Sequence, residues 1–353
     1  MSRKKGKTNA SVRKKRTMTV AQRRRAKNIA KNATFAYAIT AVLILTIFLG
    51  RWLVAISNGY ESSFVEIDAS TPRAVSNMRG LAQGADEKAE LLPLEKEWDL
   101  YASSRLRDEV SMTTDDGTQL HGYLYNEGSD VTVVVLPRFA QDGTGDFLPA
   151  SSLYELTGCN ILLPDPRCHG ESGGEFFTYG LTERYDVAAW LAWAEEALGP
   201  QTFILWGEGT GANTALMAAA EGLLPDNVAF IVAESPYASL HEMAKASIWK
   251  WYSVPSVPFL AAIESKIEKK AGFRVKDIDL PAELSAGSGT IPVLFLCSEY
   301  DAYIQPAWSQ AVAEAYPGPQ TTVTGGGSHG TVYAARQDEI DGVLAQWWST
   351  YGA

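Results

Sequence analysis

Five short apolar runs, at residues 131–136, 160–163, 202–206, 228–232 and 292–296, constrain the fold more than any other feature of this chain. Each is rich in β-branched or aromatic side chains and too short for a stable helix. None alternates apolar with polar, so they predict strands buried on both faces of a sheet. Helical patterns lie between and after them, at 182–197, 213–221, 306–315 and 338–348. Ahead of them, residues 110–114, an Asp115-Asp116-Gly117 turn and residues 119–125 predict a hairpin. A hairpin followed by repeated strand–helix units predicts an α/β domain with a mostly parallel sheet and helices on both faces.

One stretch breaks the rhythm. Residues 239–290 carry Trp249, Trp251, Tyr252, Pro255, Pro258 and Phe259 without a strand pattern. That is too long for a simple connection and predicts a helical lid inserted over the sheet. Its aromatics either pack the lid or line an apolar pocket.

The N-terminal part is of a different kind. Residues 1–32 hold thirteen Lys or Arg and no acid. From residue 57 onward, 17 basic residues face all 41 acidic ones, a net charge of −24. An uncharged run opens at Thr34 and, interrupted by Arg51, continues to Ile56. Twenty-three helical residues reach about 35 Å, enough for a hydrocarbon core of about 30 Å. Arg51 lies where its side chain can snorkel to the interface beside Trp52. The long basic leader and long run favour an uncleaved anchor over a cleaved signal peptide. Basic clusters at 13–16 and 23–25 place the tail in the cytoplasm and the C-terminal domain outside. The expected organisation is a basic cytoplasmic tail (1–32), a transmembrane signal anchor (33–57), a stalk or linker (58–95) and the α/β domain (96–353); the weakly patterned residues 60–95 read as a stalk or as helical packing onto the domain. The same basic clusters suit lipid headgroups or nucleic acid, but the outer domain shows no specific nucleic-acid site.

Three cysteines, Cys159, Cys168 and Cys297, lack zinc spacing and are too few for a disulfide framework. His121, His169, His241 and His329 are scattered, so no metal or cofactor is expected.

Chemistry in such sheets gathers beyond the carboxyl ends of the strands. After residues 202–206 comes Gly207-Glu208-Gly209-Thr210-Gly211, then a helix. This is the Gly-x-Ser-x-Gly frame of a nucleophile elbow, with Gly209 in place of Ser. Thr210 is placed to give one oxyanion-hole amide. After residues 292–296 comes Ser298-Glu299-Tyr300-Asp301, which sets Asp301 to orient a histidine. After the last strand, Gly325-Gly326-Gly327-Ser328-His329-Gly330 sets His329 as the base. The order elbow, acid, histidine is the one this fold uses.

Further segments carry a resemblance. They are Asp116-Gly117, Leu163-Pro164-Asp165-Pro166-Arg167-Cys168-His169-Gly170-Glu171-Ser172, Tyr179-Gly180-Leu181-Thr182-Glu183-Arg184-Tyr185-Asp186, Glu234-Ser235-Pro236-Tyr237-Ala238-Ser239-Leu240 and Pro292-Val293-Leu294-Phe295. With them, the region from about residue 98 to 348 resembles bacterial membrane-anchored α/β-hydrolases of the serine-aminopeptidase-like group. The resemblance implies the α/β-hydrolase fold and ester or amide hydrolysis through a Ser-Asp-His triad, with Asp301 and His329 at the acid and base positions. Three departures stand out. Gly209 replaces the nucleophile. Pro137-Arg138 replaces a His-Gly pair ahead of Phe139, the position resembling the second oxyanion donor. Cys168 replaces the glycine of an Arg-Gly-His-Gly turn.

Loss of the nucleophile removes ordinary acyl transfer, at a cost of about a million-fold in turnover. The leading expectation is a degenerate hydrolase, with a small-molecule or peptide ligand, in which Arg138 attracts an anion. A second is a hydrolase or lyase using the His329–Asp301 pair with non-serine chemistry; Cys168 and Thr210 stand off the elbow tip, and Glu208 is expected to point away. A third class is dinucleotide binding, since Gly207-x-Gly209-x-x-Ala212 with Glu234 after the next strand fits that fingerprint. The fingerprint would fall in mid-sheet, however, and leaves Asp301, His329 and the lid unexplained. A purely structural ectodomain is the remaining reading.

Overall fold

The computed structural model describes residues 20–61, 85–139, 143, 147–252, 255–257, 259–301, 303–326 and 328–352. The chain divides into two compact units, Met1–Val54 and Ala55–Ala353. Most of helix α1 (Val20–Glu61, 42 residues) lies in the first. Its described apolar side chains are exposed, among them Phe35, Ile39, Val42, Leu43, Ile44, Leu45, Ile47 and Leu49. Thr46 ties its hydroxyl to the Val42 carbonyl at 2.9 Å. Among the described residues no helix is long and apolar enough to cross a membrane. Of the expected 34–56 span, the side chains of Thr34, Ala36, Trp52 and residues 54–56 lie outside the described residues.

The second unit is built on an eight-stranded sheet of order β1-β2-β4-β3-β5-β6-β7-β8. The strands are β1 (Asp108–Thr113), β2 (Gln119–Tyr125), β3 (Val131–Leu136), β4 (Asn160–Pro164), β5 (Thr202–Glu208), β6 (Val228–Glu234), β7 (Val293–Ser298) and β8 (Gln320–Gly325). β2 pairs antiparallel with β1 and β4, and every other pairing is parallel. The expected hairpin and all five apolar runs are strands, and β3, β4, β6 and β7 are buried along their whole length. Such strands need helices over both faces.

One layer is α4 (Glu183–Leu198), α5 (Thr210–Ala220), α8 (Leu280–Ala286) and α9 (Pro306–Ala315). The other is α2 (Ala85–Ser103), α3 (Ala150–Thr157), α10 (Val332–Ala335) and α11 (Gln337–Tyr351). Trp206, Phe230 and Leu294 point into this second layer, where they join Phe147, Tyr333 and Trp347 in one core. Within the expected 58–95 stalk, residues 62–84 lie outside the described residues. From Ala85 the chain is helical, and α2 buries Leu91, Leu94, Trp98 and Tyr101 in that core. The packed domain therefore begins before residue 96.

Between β6 and β7 the chain is helical, as α6 (Leu240–Tyr252), α7 (Phe259–Ala271), a 3-10 turn (Val275–Asp277) and α8. α8 packs in the α5–α9 layer, so the C-terminal part of the expected 239–290 lid is an ordinary layer helix. His241 of α6 meets Glu264 of α7 through its Nδ1. The aromatic side chains of Trp249, Trp251, Tyr252 and Phe259, together with Pro258, lie outside the described residues, while Pro255 is exposed.

Candidate active site

β5 ends at Glu208, and Gly209 follows at φ 52°, ψ −109°, capping α5. This is a left-handed conformation that L side chains adopt only under strain. Two flanking glycines make the bend sterically feasible. A Cβ on Gly207 would lie 2.5 Å from the Ala212 nitrogen, and one on Gly211 would lie 2.0 Å from the Leu136 carbonyl oxygen. The Gly209 amide donates to the Glu234 carbonyl at 2.8 Å, pinning the bend to β6.

The site assembles around that bend. A Cβ built on Gly209 would stand 3.6 Å from His329 Nε2 and 3.5 Å from the Arg138 Cβ, ordinary contact distances. His329 Nδ1 meets Asp301 Oδ2 at 2.6 Å, and Asp301 Oδ1 accepts the amides of Tyr303 and Ile304 at 2.7 and 2.8 Å. Burial pushes the Asp301 carboxyl up, but the neighbouring His329 charge, its hydrogen bond and the two amides outweigh this and hold it below its ordinary value. A carboxylate so held keeps Nδ1 protonated and leaves Nε2 to face the elbow.

Thr210 is the first residue of α5, so its N–H has no intrahelical acceptor. The β3–β5 register sets Leu136 opposite Gly207, bringing Pro137, Arg138 and Phe139 alongside Glu208, Gly209 and Thr210. The Phe139 ring stacks with Tyr179 at 5.9 Å and meets Phe177 at the same distance.

Arg138 and Glu208 give the site a character the sequence does not announce. Arg138 Nη1 donates to Glu208 Oε2 at 2.7 Å, with side chains only 3% and 7% exposed. Glu208 does not simply point away from the site; it neutralises the cation beside the elbow. The expectation that Arg138 attracts an anionic ligand is corrected accordingly, because an incoming anion meets a closed pair. The signal was opposite charges at neighbouring sheet positions, legible only once β3 and β5 are known to be adjacent.

Cys168 is buried at φ 61°, and burial pushes its thiol up to about 12. Nucleophilic cysteines are thiolates, so this one is not poised to substitute for serine. Its neighbours Arg167 and His169 are structural. Arg167 holds Asp186 through two bonds of 2.6 and 2.7 Å, and His169 Nδ1 meets the Arg167 carbonyl at 2.7 Å. Glu234, the acid of the dinucleotide fingerprint, is buried and accepts the Val332 amide at 3.2 Å. It does not face an open cleft, so the geometry gives that reading no support. Among the described residues no group of three His, Cys, Asp or Glu side chains could hold a metal.

A sheet of this order, a glycine-flanked elbow after its fifth strand and a His–Asp pair from the loops after its seventh and eighth strands define the class. The chain has the α/β-hydrolase fold. A family model described as "alpha/beta hydrolase fold" matches residues 133–262. A curated relative, the uncharacterized protein YqkD of Bacillus subtilis, is 29% identical over 183 residues, covering 51% of this chain. The chain spans 59% of that relative's length. Among solved structures, the esterase Pf2001 of Pyrococcus furiosus superposes with a TM-score of 0.56 at 19% identity, over 71% of this chain and 95% of that one. The α/β hydrolase GrgF from Penicillium gives 0.52 at 18%, over 70% and 100%. Est1E of Butyrivibrio proteoclasticus, solved with ferulic acid, gives 0.51 at 17%, over 69% and 98%. At these identities the likeness speaks for the fold alone.

Proposed function

We propose that this chain is a membrane-anchored α/β-hydrolase-fold protein, of the serine-aminopeptidase-like kind, that binds a small-molecule or peptide ligand without serine-type acyl transfer. The observation that carries this is the hydrogen atom of Gly209 where an attacking oxygen belongs, with His329 Nε2 facing that point. A glycine cannot attack a carbonyl, and loss of the nucleophile alone removes nearly all triad catalysis. The buried Arg138–Glu208 pair beside the elbow is a second departure from an acyl-transfer site.

Anchoring rests on α1. Its sequence from Thr34 to Gly50 holds no charge, and its described apolar side chains there are exposed on every face. Water is a poor solvent for such a helix, and a bilayer a good one. The basic leader sets the N-terminus in the cytoplasm and the C-terminal domain outside.

The test is labelling of the full chain with a fluorophosphonate, wild type beside Gly209→Ser. Wild type is expected to stay unlabelled and to leave p-nitrophenyl acetate intact; Gly209→Ser is expected to label at residue 209. Labelling of wild type on any serine overturns the proposal.

The intact His329–Asp301 pair favours one second reading: that His329 draws a proton from water or substrate directly. Turnover of a candidate substrate that disappears in His329→Ala would establish it, and an unchanged rate would remove it.

A further inference from the structure

A small pocket, partly open to solvent, lies behind the elbow, between the carboxyl ends of β3 and β4 and the amino ends of α4 and α5. Its walls are chiefly apolar: Leu136, Pro164, Phe177, Val187 and Trp190. None of the described residues of the lid segment at 240–277 borders it. Thr210, the residue after the missing nucleophile, also lines it. Thr210 is 4% exposed, and its Oγ1 has no hydrogen-bond partner among the described residues. A buried hydroxyl without a partner is costly to leave so, and beside a pocket it is a natural anchor for a ligand or a water.

The charged groups on the border are already engaged. Asp186 is held by the Arg167 guanidinium at 2.6 and 2.7 Å. Glu183 accepts the Thr178 amide and hydroxyl and the Gly180 amide, all within 2.8 Å. Asp165 accepts the Gly143 and Glu171 amides at 2.7 and 2.8 Å and meets His121 Nδ1 at 3.0 Å. Close by, Arg138 is closed by Glu208. A ligand anion entering here would find three carboxylates and, among the described residues, no uncommitted counter-charge, and a buried unpaired charge is expensive.

We propose that this cavity binds the apolar part of an uncharged ligand, an aryl or short acyl group carrying one neutral oxygen, with the Thr210 hydroxyl as its hydrogen-bond partner. The proposal rests on the ligand-binding reading above and names that ligand's class. It assigns Thr210 a side-chain role separate from the oxyanion-hole role of its amide.

The probe pair is 4-fluorobenzyl alcohol and 4-fluorobenzoate, which share a ring and differ in charge. Binding is followed by fluorine NMR on the full chain in nanodiscs, with empty nanodiscs as blank. The alcohol is expected to bind and the carboxylate to bind at least about tenfold more weakly. Thr210→Val keeps the shape and removes the hydroxyl; it is expected to weaken the alcohol about fivefold. Thr214→Met, which fills the cavity from α5, is expected to abolish binding, with thermal melting as the check on folding. Should that variant fail to fold, the near-isosteric Thr210→Val carries the test. No binding of the alcohol, equal binding of the carboxylate, or an unchanged affinity in Thr210→Val overturns the proposal. The same sample is treated with fluorophosphonate: a labelled wild type sinks the parent reading, whereas an unlabelled chain that ignores the alcohol sinks only this one.

Discussion

At the scale of single residues, the backbone of Gly209 is as informative as its missing side chain. It has φ 52° and ψ −109°, the bend of an elbow, although a glycine presents no nucleophilic side chain. Placing serine there restores a side chain within reach of His329 Nε2 but imposes the strain on an L residue. Gly209→Ser is therefore expected to gain fluorophosphonate labelling and to lose about 1–3 kcal/mol of stability, a few degrees in melting temperature. Labelling gained without any loss of stability would mean that the bend relaxes on substitution. Asp301 gives a pH prediction. Its carboxyl is held below its ordinary value, so the unfolded chain takes up its proton first as pH falls. Its contribution to stability is full above the unfolded value of about 4 and is lost as pH falls through the lower folded value. Asp301→Asn should then melt below wild type by a constant margin from neutral pH to about 4, and the gap should close in stronger acid. A gap that closes already between pH 7 and 5 would contradict the depressed carboxyl.

Secondary elements differ in how plainly the sequence announces them, and the reason is physical. Strands buried on both faces show as continuous apolar runs, and β3 through β7 were legible on that ground. β8 was not, because an edge strand reading Gln-Thr-Thr-Val-Thr-Gly buries only its alternate members and carries no apolar run. α2 was legible only as one of two alternatives, a stalk or a packed helix, because its buried positions Leu91, Leu94, Trp98 and Tyr101 are set among charged residues and Pro93 lies inside it. Leu94→Ala is expected to cost about 2–5 kcal/mol, as a core truncation does. A change under half a kilocalorie in denaturant unfolding would return α2 to the role of a linker. In the site, the order elbow, Asp301, His329 could be read along the chain, since the elbow and Asp301 each follow an apolar run and His329 stands in a glycine-rich loop near the chain's end. The Arg138–Glu208 pair could not, because it joins residues 70 positions apart through the adjacency of β3 and β5. Glu208→Gln removes the carboxylate from a buried guanidinium and should cost about 3–5 kcal/mol. Replacing both, Arg138→Met with Glu208→Leu, should recover most of that loss; a double variant no better than the single would show the pair acting as more than mutual neutralisation.

Over the whole chain, charge is divided as sharply as fold: a leader with thirteen basic residues and no acid, then a domain of net charge −24. Within one compartment the two would attract; separated by a membrane, each faces the environment its charge suits. The leader would meet anionic cytoplasmic headgroups, at about 1 kcal/mol per basic residue near the surface. The acidic domain would stay clear of the opposite face. Alkaline carbonate washing should accordingly leave the full chain in the membrane fraction. Protease added outside intact cells lacking an outer wall should digest the C-terminal domain and spare an N-terminal tag. Leu43→Lys with Leu45→Lys puts two ammonium groups at the centre of the run, each about 3 kcal/mol against insertion. That is more than the few tenths gained by each neighbouring Ile, Leu or Phe can offset locally. The double variant should appear in the soluble fraction with its C-terminal domain protected from external protease. Release of the unaltered chain by carbonate, or digestion of the N-terminal tag in its place, would show that α1 neither anchors the protein nor sets its direction.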